Sequence, residues 1–247
     1  MKKLLNYIGF SGALICTMTA CHKIDVPVTT QLTPEVFPQN STQFLQAAGQ
    51  AYMALRGNFS LDYHFIQSLS TDEAILPARG GNWYDNRGYI DLHYHTWTKD
   101  HGTTNSNWSW LSKTIGSANQ AMSILGSAMP EGTDKDQALA ELTMVRAIAY
   151  FMFMDLFGNV PIYDKYGDFT PRDKSPRTEV FKFIENDIKT SLPNLSNVVG
   201  AATYGRANKY TAFALLAKMY LNAEYYTGTP RYNECVAYCD SVISSGK

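Results

Sequence analysis

The sequence predicts an all-α protein, and three features support this prediction. Apolar residues recur at intervals of three and four through most of residues 41–247, which is the spacing of a helix that buries one face. Glycine and proline stand between these periodic stretches, where helices commonly end. Small residues inside the stretches favour close helix crossings of the tetratricopeptide type; they are Ala147, Ala149, Ala212, Ala214 and Ala217. Because no strict repeat period is present, we expect degenerate helical hairpins.

The first three helices are predicted on either side of an irregular insertion. Ser41 is a suitable N-cap for a helix that stops near Gly57. A second helix is predicted from about Leu61 to Leu69, and a third begins at Trp108. Residues 72–107 between them are rich in Gly, Asn, Asp and aromatic residues and have no helical period. We therefore predict a long loop insertion there.

A long central helix and a shorter one are predicted next. The long helix follows Pro130 and ends at Gly158, because glycine is favoured just past a helix C-terminus. An extended segment at residues 160–163 leads to a helix that opens with Ser175-Pro176 and closes at Pro193.

Two more helices are predicted at residues 207–225 and 232–244. The sequence stops directly after the second of them, whose apolar face then has no following element to cover it. Helical solenoids need a polar capping repeat at their ends. We therefore expect a helical domain over residues 41–247 that is truncated before a C-terminal half.

The N-terminus has the pattern of a secretory signal. Two lysines precede a mostly apolar stretch that is too short and too interrupted to cross a bilayer. Thr19-Ala20-Cys21 follows, and small residues directly before a cysteine are typical of a bacterial lipobox. We predict a signal peptide over residues 1–20, acylation of Cys21 and a lipidated tether over residues 21–40, whose three prolines favour an extended chain. Secretion without a lipid is the alternative.

Charge and composition exclude one class of function. Once Lys2 and Lys3 leave with the signal peptide, Lys+Arg falls from 21 to 19 against 22 Asp+Glu, a net charge of about −3. A weakly acidic chain without a basic run lacks the clustered cations on which nucleic-acid binding depends. No nucleic-acid partner is therefore expected. The aromatic share of 13% favours flat recognition surfaces.

Cysteine usage predicts no disulfide in the helical domain. Cys235 and Cys239 lie four residues apart in a predicted helix, which places their Cβ atoms about 6 Å apart. A disulfide requires about 3.8 Å. We interpret both as small, buried apolar residues.

Several short motifs follow one another along the chain. They are DVP at 25–27, QLTPEVF at 31–37, RAIAYF at 146–151, DLFGNVP at 155–161, YGRA at 204–207 and ALLAKMYLNA at 214–223. Together they resemble the SusD/RagB family of outer-membrane lipoproteins. The resemblance implies a SusD-like helical fold, of which this sequence is the N-terminal, tetratricopeptide-bearing half. It also implies a cell-surface protein of Bacteroidetes-type bacteria that delivers oligosaccharides to a SusC-type TonB-dependent transporter in the outer membrane.

The irregular segment holds the residues that we predict to bind a glycan. A sugar presents an apolar face ringed by hydroxyl groups, so its site needs a flat aromatic ring with amides or carboxylates at the rim. Trp83 supplies such a ring, Asp85 and Asn86 supply the rim, and Tyr84 or Trp97 is predicted as a second wall. The resemblance implies the same place, because stacking aromatics lie in the corresponding segment of the family's starch-binding prototype. The alternative is that Trp83 plugs the loop onto the helices.

Catalysis is not expected from this chain. No Gly-x-Ser-x-Gly or His-Glu-x-x-His motif is present, and the adjacent Asp72 and Glu73 diverge, whereas a glycosidase needs two carboxyls facing each other across a bond. The two acids are expected to hold the loop by capping and hydrogen bonds. No cofactor is predicted. A RagB-like peptide-capturing protein, or a helical scaffold without a glycan site, is the alternative function.

Two further predictions concern charged side chains. His93 and His95 would share a face if they lay on a strand, and with Asp100 and His101 they could then bind zinc. We prefer a structural role for this segment and predict no metal. Arg146 lies among apolar residues of the long helix and is expected to pair with an acid, either Asp155 or Asp72.

Overall fold

Helices make up the regular structure of the computed structural model, which describes residues 36–247. The predicted signal peptide, Cys21 and most of the predicted tether lie outside these residues. In chain order the α-helices are α1 (Ser41–Arg56), α2 (His64–Ser68), α3 (Gly88–His93), α4 (Gly102–Ala128), α5 (Thr133–Phe157), α6 (Arg177–Ser191), α7 (Lys209–Leu221), α8 (Ala223–Thr227) and α9 (Tyr232–Ile243). A π-helical turn at Phe59–Tyr63 precedes α2, and single 3-10 turns lie at Asp85–Arg87, Leu192–Asn194 and Ala201–Thr203. The predicted all-α class is confirmed.

The α4–α5 hairpin is the centre of the fold. Its two long helices are joined by residues 129–132 and make the most extensive contact between any two elements of the described chain. Helix α1 packs on α4, α6 packs on α5, and α7 pairs with α9. Residues 38–247 form one compact unit.

Helix α5 is buried around most of its circumference because it has neighbours on several sides. Its alanines Ala147 and Ala149 are fully buried, as expected for close helix crossings, and so are the larger Tyr150 and Phe153. In α7, Ala212 and Ala217 are buried, whereas Ala214, which was also expected at a close crossing, is exposed.

Polar caps set the starts of three helices. The Asn40 side chain accepts a hydrogen bond from the Gln43 backbone N–H at 3.1 Å, so α1 is capped one residue earlier than predicted. His101 caps α4 by accepting from the Thr104 N–H, and the helix begins well before the predicted start at Trp108. The first turns of α4 are polar and therefore show no apolar period. In α7, Asn208 and Thr211 form a reciprocal capping box.

Glycine ends two of the long helices, as predicted. Gly158 adopts φ +70° directly after α5, a conformation that favours glycine. Gly57 follows α1 at a close approach, because a Cβ there would lie 3.1 Å from the Trp110 ring. The same indole donates to the Ala54 carbonyl oxygen at 2.7 Å and so closes the end of the helix.

Two predicted elements are wrong in detail. The segment 72–107 is not a loop throughout, since it contains α3 and the start of α4. The helix predicted at 207–225 is divided at Asn222 into α7 and α8. The helix predicted from about Leu61 to Leu69 is present, as the π-helical turn followed directly by α2.

Helix α9 is the least buried of the long helices. Cys235 and Tyr238 pack against the core, whereas Val236 and Ile243 are exposed. Both cysteines are free, but Cys239 is exposed, so its interpretation as a buried residue is wrong. No helix within residues 36–247 is long and apolar enough to span a bilayer.

Candidate functional site

The predicted ligand residues follow a tight turn outside the long helices. Arg79 and Asn82 exchange two backbone hydrogen bonds, of 3.0 and 3.1 Å, around a Gly80-Gly81 pair. Gly80 has φ +62°, which a glycine adopts without strain. Trp83 comes immediately after this turn and Tyr84 is exposed beside it in sequence.

Trp83 rests on two other aromatic rings. Its ring centroid lies 5.9 Å from that of Phe65 in α2 and 5.9 Å from that of Tyr89 in α3, and those two rings are 5.1 Å apart. All three contacts are edge-to-face, a favoured aromatic arrangement. The Trp83 residue is 46% exposed. The indole is thus held in place by its neighbours while about half of it stays open to solvent.

The backbone that carries these residues is strained. Among the described residues, five that are not glycine have a positive φ, and four of them are Trp83 (57°), Asp85 (38°), Asn86 (50°) and Arg87 (67°). Each such conformation costs about 1–3 kcal/mol, and strain of this kind is concentrated at ligand and active sites. The run at 83–87 therefore favours a functional role for this turn.

The two rim residues are free to bind a ligand. Neither the Asp85 carboxylate nor the Asn86 amide has a side-chain hydrogen bond or ion pair to another described residue, and both residues are exposed. Burial and the charges of Asp85 and Asp62 raise the pKa of Tyr89, so its phenol stays protonated beneath the turn. The carboxylate and amide oxygens can accept from sugar hydroxyls, and the amide can also donate.

Trp97 packs on a different residue from those that support Trp83. Its ring lies 5.2 Å from that of His95, and His95 donates from Nε2 to the Ser70 carbonyl oxygen at 2.7 Å. Thr96 between them bonds to Asp91 through both its backbone and its hydroxyl group. Within residues 36–247, Trp97 and Trp83 share no ring contact, and Tyr84 or Trp97 as the second wall of a glycan site stays a prediction.

Two histidines of this segment, His95 and His101, make structural hydrogen bonds. Helix α3 ends at His93, so His93 and His95 do not lie on a strand as the zinc alternative required. His101 donates from Nε2 to the Gly88 carbonyl oxygen at 2.9 Å and accepts at Nδ1 from the Thr104 N–H, which ties the start of α4 to that of α3. In the part of the chain that the structure describes, no three metal-ligating side chains converge.

Thr71, and not its acidic neighbours, holds the loop after α2. Its hydroxyl group donates to the Ser68 carbonyl oxygen at 2.8 Å and accepts from the Glu73 backbone N–H at 3.2 Å. The side chains of Asp72 and Glu73 are exposed and make no hydrogen bond within residues 36–247. The capping role predicted for these two acids is therefore wrong.

Arg146 pairs with Asp187 of α6, which corrects both predicted partners. Two parallel bonds of 2.8 Å join the guanidinium to the carboxylate, and both side chains are buried. Asp155 instead accepts from the Tyr226 hydroxyl at 2.6 Å, while Asp72 is exposed. The pairing depends on which helices pack together, and the spacing of acids along the chain does not reveal this.

The YGRA motif at residues 204–207, just before α7, is attached to the central α4–α5 hairpin. Arg206 makes two bonds, of 2.8 and 2.9 Å, to Glu141 of α5, whose side chain is buried. The Tyr52 hydroxyl of α1 lies 3.5 Å from the same carboxylate and accepts from the Ala207 N–H at 3.1 Å. Burial and the nearby Glu141 carboxylate raise the pKa of Tyr52 to about 12, although Ala207 and Arg206 act to lower it. These residues have a structural role.

Two grooves were not predicted from the sequence. The first, of about 820 Å³, lies beside Glu141, and the second, of about 620 Å³, lies between α4 and residues 161–169. The second is lined by several aromatic side chains, including Tyr166 and Phe169. The signal available in the sequence was the close spacing of these aromatics after Pro161, together with a glycine, Gly116, in the interior of a helix.

Comparison with known proteins identifies the family of the chain. A SusD-like family model, described as "Starch-binding associating with outer membrane", matches residues 31–221. The starch-binding protein SusD of Bacteroides thetaiotaomicron is 34% identical over 106 residues, which are 43% of this chain and 19% of that protein. A SusD-like protein of Bacteroides ovatus is 30% identical over 224 residues and covers 81% of this chain and 39% of its own length.

Solved structures agree on the fold. A laminarin-binding SusD-like protein superposes with a TM-score of 0.70 at 22% identity, over 83% of this chain and 43% of its own. A SusD-like protein of Bacteroides fragilis gives a TM-score of 0.70 at 20% identity, over 84% of this chain and 39% of its own. The chain thus spans less than half of the length of these relatives. Since the family model covers most of the sequence and the helical fold agrees, the chain belongs to the SusD-like family.

Proposed function

We propose that this protein is a cell-surface glycan-binding lipoprotein that captures oligosaccharides and delivers them to a SusC-type TonB-dependent transporter. The single observation that carries the proposal is the half-exposed Trp83 ring, held edge-on by Phe65 and Tyr89 on a strained turn. The printed names of relatives, which include a starch-binding and a laminarin-binding protein, support a carbohydrate as the ligand.

In this proposal Trp83 stacks on the apolar face of a pyranose ring. Asp85 and Asn86 bind hydroxyl groups at the rim, and Tyr84 lies beside them in sequence. Tyr84 or Trp97, whose ring packs against that of His95, would supply a second wall. The role is one of binding, and no chemical step is proposed.

The proposal also includes a lipid anchor at Cys21 and a transporter as the protein's partner. Acylation at Cys21 would place two lipid chains in the outer membrane, and two chains anchor stably where one does not. The helical domain would then face the mouth of the transporter barrel across a broad, largely pre-formed surface. The outer-membrane association in the family description supports this location.

Replacement of Trp83 by alanine tests the glycan site. Stacking contributes about 0.5–1.5 kcal/mol beyond area burial. With the lost area, we expect Trp83→Ala to weaken oligosaccharide binding by at least about tenfold, since 1.4 kcal/mol is one decade. Isothermal titration of the full-length protein with starch and laminarin oligosaccharides measures this, and thermal melting measures stability in parallel.

Two further variants separate binding from folding. Trp83→Phe keeps an aromatic ring against Phe65 and Tyr89 and should retain part of the affinity. Tyr204→Ala removes an aromatic residue that is 91% exposed and lies outside the turn, so it should bind as the wild type does. If Trp83→Ala lowers the melting temperature but keeps full affinity, Trp83 is a loop plug. If peptides bind and oligosaccharides do not, the peptide-capturing alternative replaces this proposal.

A further inference from the structure

A groove separate from the Trp83 turn lies along α4. Its volume of about 620 Å³ is within the range of ligand pockets, and none of the five predicted glycan residues lines it. Trp108, Ile115 and Phe153 supply part of its apolar floor. The segment at residues 161–169, which follows α5, forms its other wall.

Buried polar side chains hold this segment in place. Asn119 of α4 donates to the Tyr163 carbonyl oxygen at 2.8 Å, and Arg146 of α5 donates to the Asp164 carbonyl oxygen at 2.8 Å. The Tyr163 N–H donates to the Tyr150 hydroxyl at 2.7 Å, and burial raises the pKa of Tyr150 to about 12. The wall of the groove is therefore fixed before any ligand arrives, and such pre-organisation lowers the entropy lost on binding.

Two aromatic rings on this wall are open to solvent. Phe169 is 82% exposed and Tyr166 is 49% exposed, and neither ring stacks on another aromatic ring of the described chain. Arg172 pairs with Asp168 between them and donates to the Ile162 carbonyl oxygen at 2.6 Å, so the rings stand on an ordered segment. Exposed aromatic rings at fixed positions are suited to stack on the flat face of a ligand.

A glycine leaves the facing side of the groove open. Gly116 lies in the interior of α4, where glycine costs roughly 1 kcal/mol relative to alanine. A Cβ at this position would meet no atom within 4 Å, so no packing contact requires the glycine. The backbone of α4 is therefore accessible from the groove at this position.

The charges at the rim define the ligand further. Lys113 and Lys165 both line the groove and are exposed, and neither forms an ion pair with any residue in 36–247. The one carboxylate in the lining, that of Asp168, is already paired with Arg172. The rim thus offers two cations without partners, which complement an anion.

We propose that this groove is a second carbohydrate site and that it binds oligosaccharides with carboxylate groups, such as those of uronic acids. Sugar rings would stack on Tyr166 and Phe169, and carboxylates would pair with Lys113 and Lys165. Phosphate alone has no apolar face for the rings, and a neutral sugar leaves the lysines unused. The inference rests on the proposed carbohydrate-binding function but concerns a different surface from that of Trp83.

Titration of the full-length protein with oligogalacturonate and with laminari-oligosaccharides of equal length tests this inference. Gly116→Leu should fill the groove and weaken oligogalacturonate binding at least about tenfold, through loss of the stacked ring. Gly126→Leu is the matched control, because Gly126 also lies in α4 with open space at its Cβ but does not line the groove. It should leave the affinity unchanged.

Two more variants separate the two sites and guard against misfolding. Phe169→Ala removes a mostly exposed side chain and should weaken oligogalacturonate binding without a change in melting temperature. The double variant Lys113→Gln, Lys165→Gln should weaken it several-fold and reduce its salt dependence. Trp83→Ala should leave oligogalacturonate binding in the groove intact.

Three results would overturn the inference. Oligogalacturonate affinity that survives both Gly116→Leu and Phe169→Ala removes the groove as its site. Loss of that affinity in Trp83→Ala alone assigns the acidic sugar to the turn. If the wild type binds laminari-oligosaccharides but not oligogalacturonate, the groove proposal fails while the proposed function stands.

Discussion

Arg146 shows how one side chain can join three parts of the fold. Its guanidinium donates to Asp187 of α6, to the Asn119 side-chain oxygen of α4 and to the Asp164 backbone, all at 2.8 Å. Burial raises the pKa of the Asp187 carboxyl, and the bonds from Arg146 only partly offset this effect. Removal of one partner from a buried pair leaves the other charge buried and uncompensated, whereas replacement of both by apolar residues often costs little.

Removal of one partner should therefore be far more harmful than removal of both. Arg146→Met leaves Asp187 buried without a partner, and we expect a loss of about 3–5 kcal/mol in the free energy of unfolding. The double variant Arg146→Met, Asp187→Leu should recover much of this loss. Urea denaturation of the single and double variants measures both values.

An exposed pair provides the comparison. Lys182 and Glu179 lie 3.0 Å apart on the surface of α6, with most of both side chains in solvent. Lys182→Met should change the stability by less than about 1 kcal/mol. A single-variant loss at Arg146 that is equally small, or a double variant no more stable than the single one, would contradict the buried-pair account.

For Arg146 and Trp83, the sequence predicts the kind of interaction better than it predicts the residues that take part in it. The apolar surroundings of Arg146 indicated a buried ion pair, but Asp187 lies 41 residues away on a helix whose packing partner was unknown. The sequence indicates Trp83 as part of a glycan site because aromatic and polar residues are adjacent there. Its support from Phe65, 18 positions earlier, and the positive φ angles of the turn arise only from the folded chain.

Glu185 is the point at which three helices are joined. This residue of α6 accepts from the Tyr220 hydroxyl of α7 at 2.6 Å and from Arg231, at the start of α9, at 3.0 Å, and it also pairs with Lys189. The Arg231 guanidinium lies 4.2 Å from the Tyr220 ring centroid, a cation–π contact. Burial acts to raise the pKa of Glu185, but the hydrogen bonds from Lys189, Tyr220 and Arg231 together lower it.

This lowered pKa predicts how acid acts on the fold. The folded-state pKa of Glu185 lies below its ordinary value of 4.5, so the carboxylate stabilises the fold above about pH 4.5. The contribution is lost as the pH falls through the folded-state pKa. Glu185→Gln should lower the melting temperature at pH 7 and show a smaller further decrease between pH 4.5 and pH 3 than the wild type.

Melting curves of the wild type, Glu185→Gln and Glu179→Gln across this pH range make the test. Glu179 is an exposed acid on the same helix, so its variant should follow the wild-type pH dependence. Equal slopes for the wild type and Glu185→Gln in the acid range would show that Glu185 does not carry this part of the stability.

Helices were predicted well where apolar residues repeat and poorly where a polar group determines the boundary. The long helix between Pro130 and Gly158 was located correctly because its core face and its terminating glycine are both visible in the sequence. The first turns of α4 contain no apolar face, and their start depends on a bond from the Thr104 N–H to His101. The short α3 offers too few residues for a period to be recognised.

For the protein as a whole, the testable prediction concerns Cys21, the proposed site of acylation. We predict that Cys21→Ala moves the full-length protein from the membrane fraction to the soluble fraction, because the lipid chains that would anchor it are then absent. Cys235→Ala, which changes a cysteine of α9, should leave the protein in the membrane. Immunoblots of fractionated cells provide the measurement. Membrane retention of Cys21→Ala would refute acylation at this residue.

The short connection between α4 and α5 also has a consequence for the order of folding. Only residues 129–132 separate these helices, so the entropy lost when the hairpin closes is small and its contacts are local. We expect this hairpin to form early in folding, before α6 packs on α5. Arg146 must then remain hydrated until α6 brings Asp187 against it.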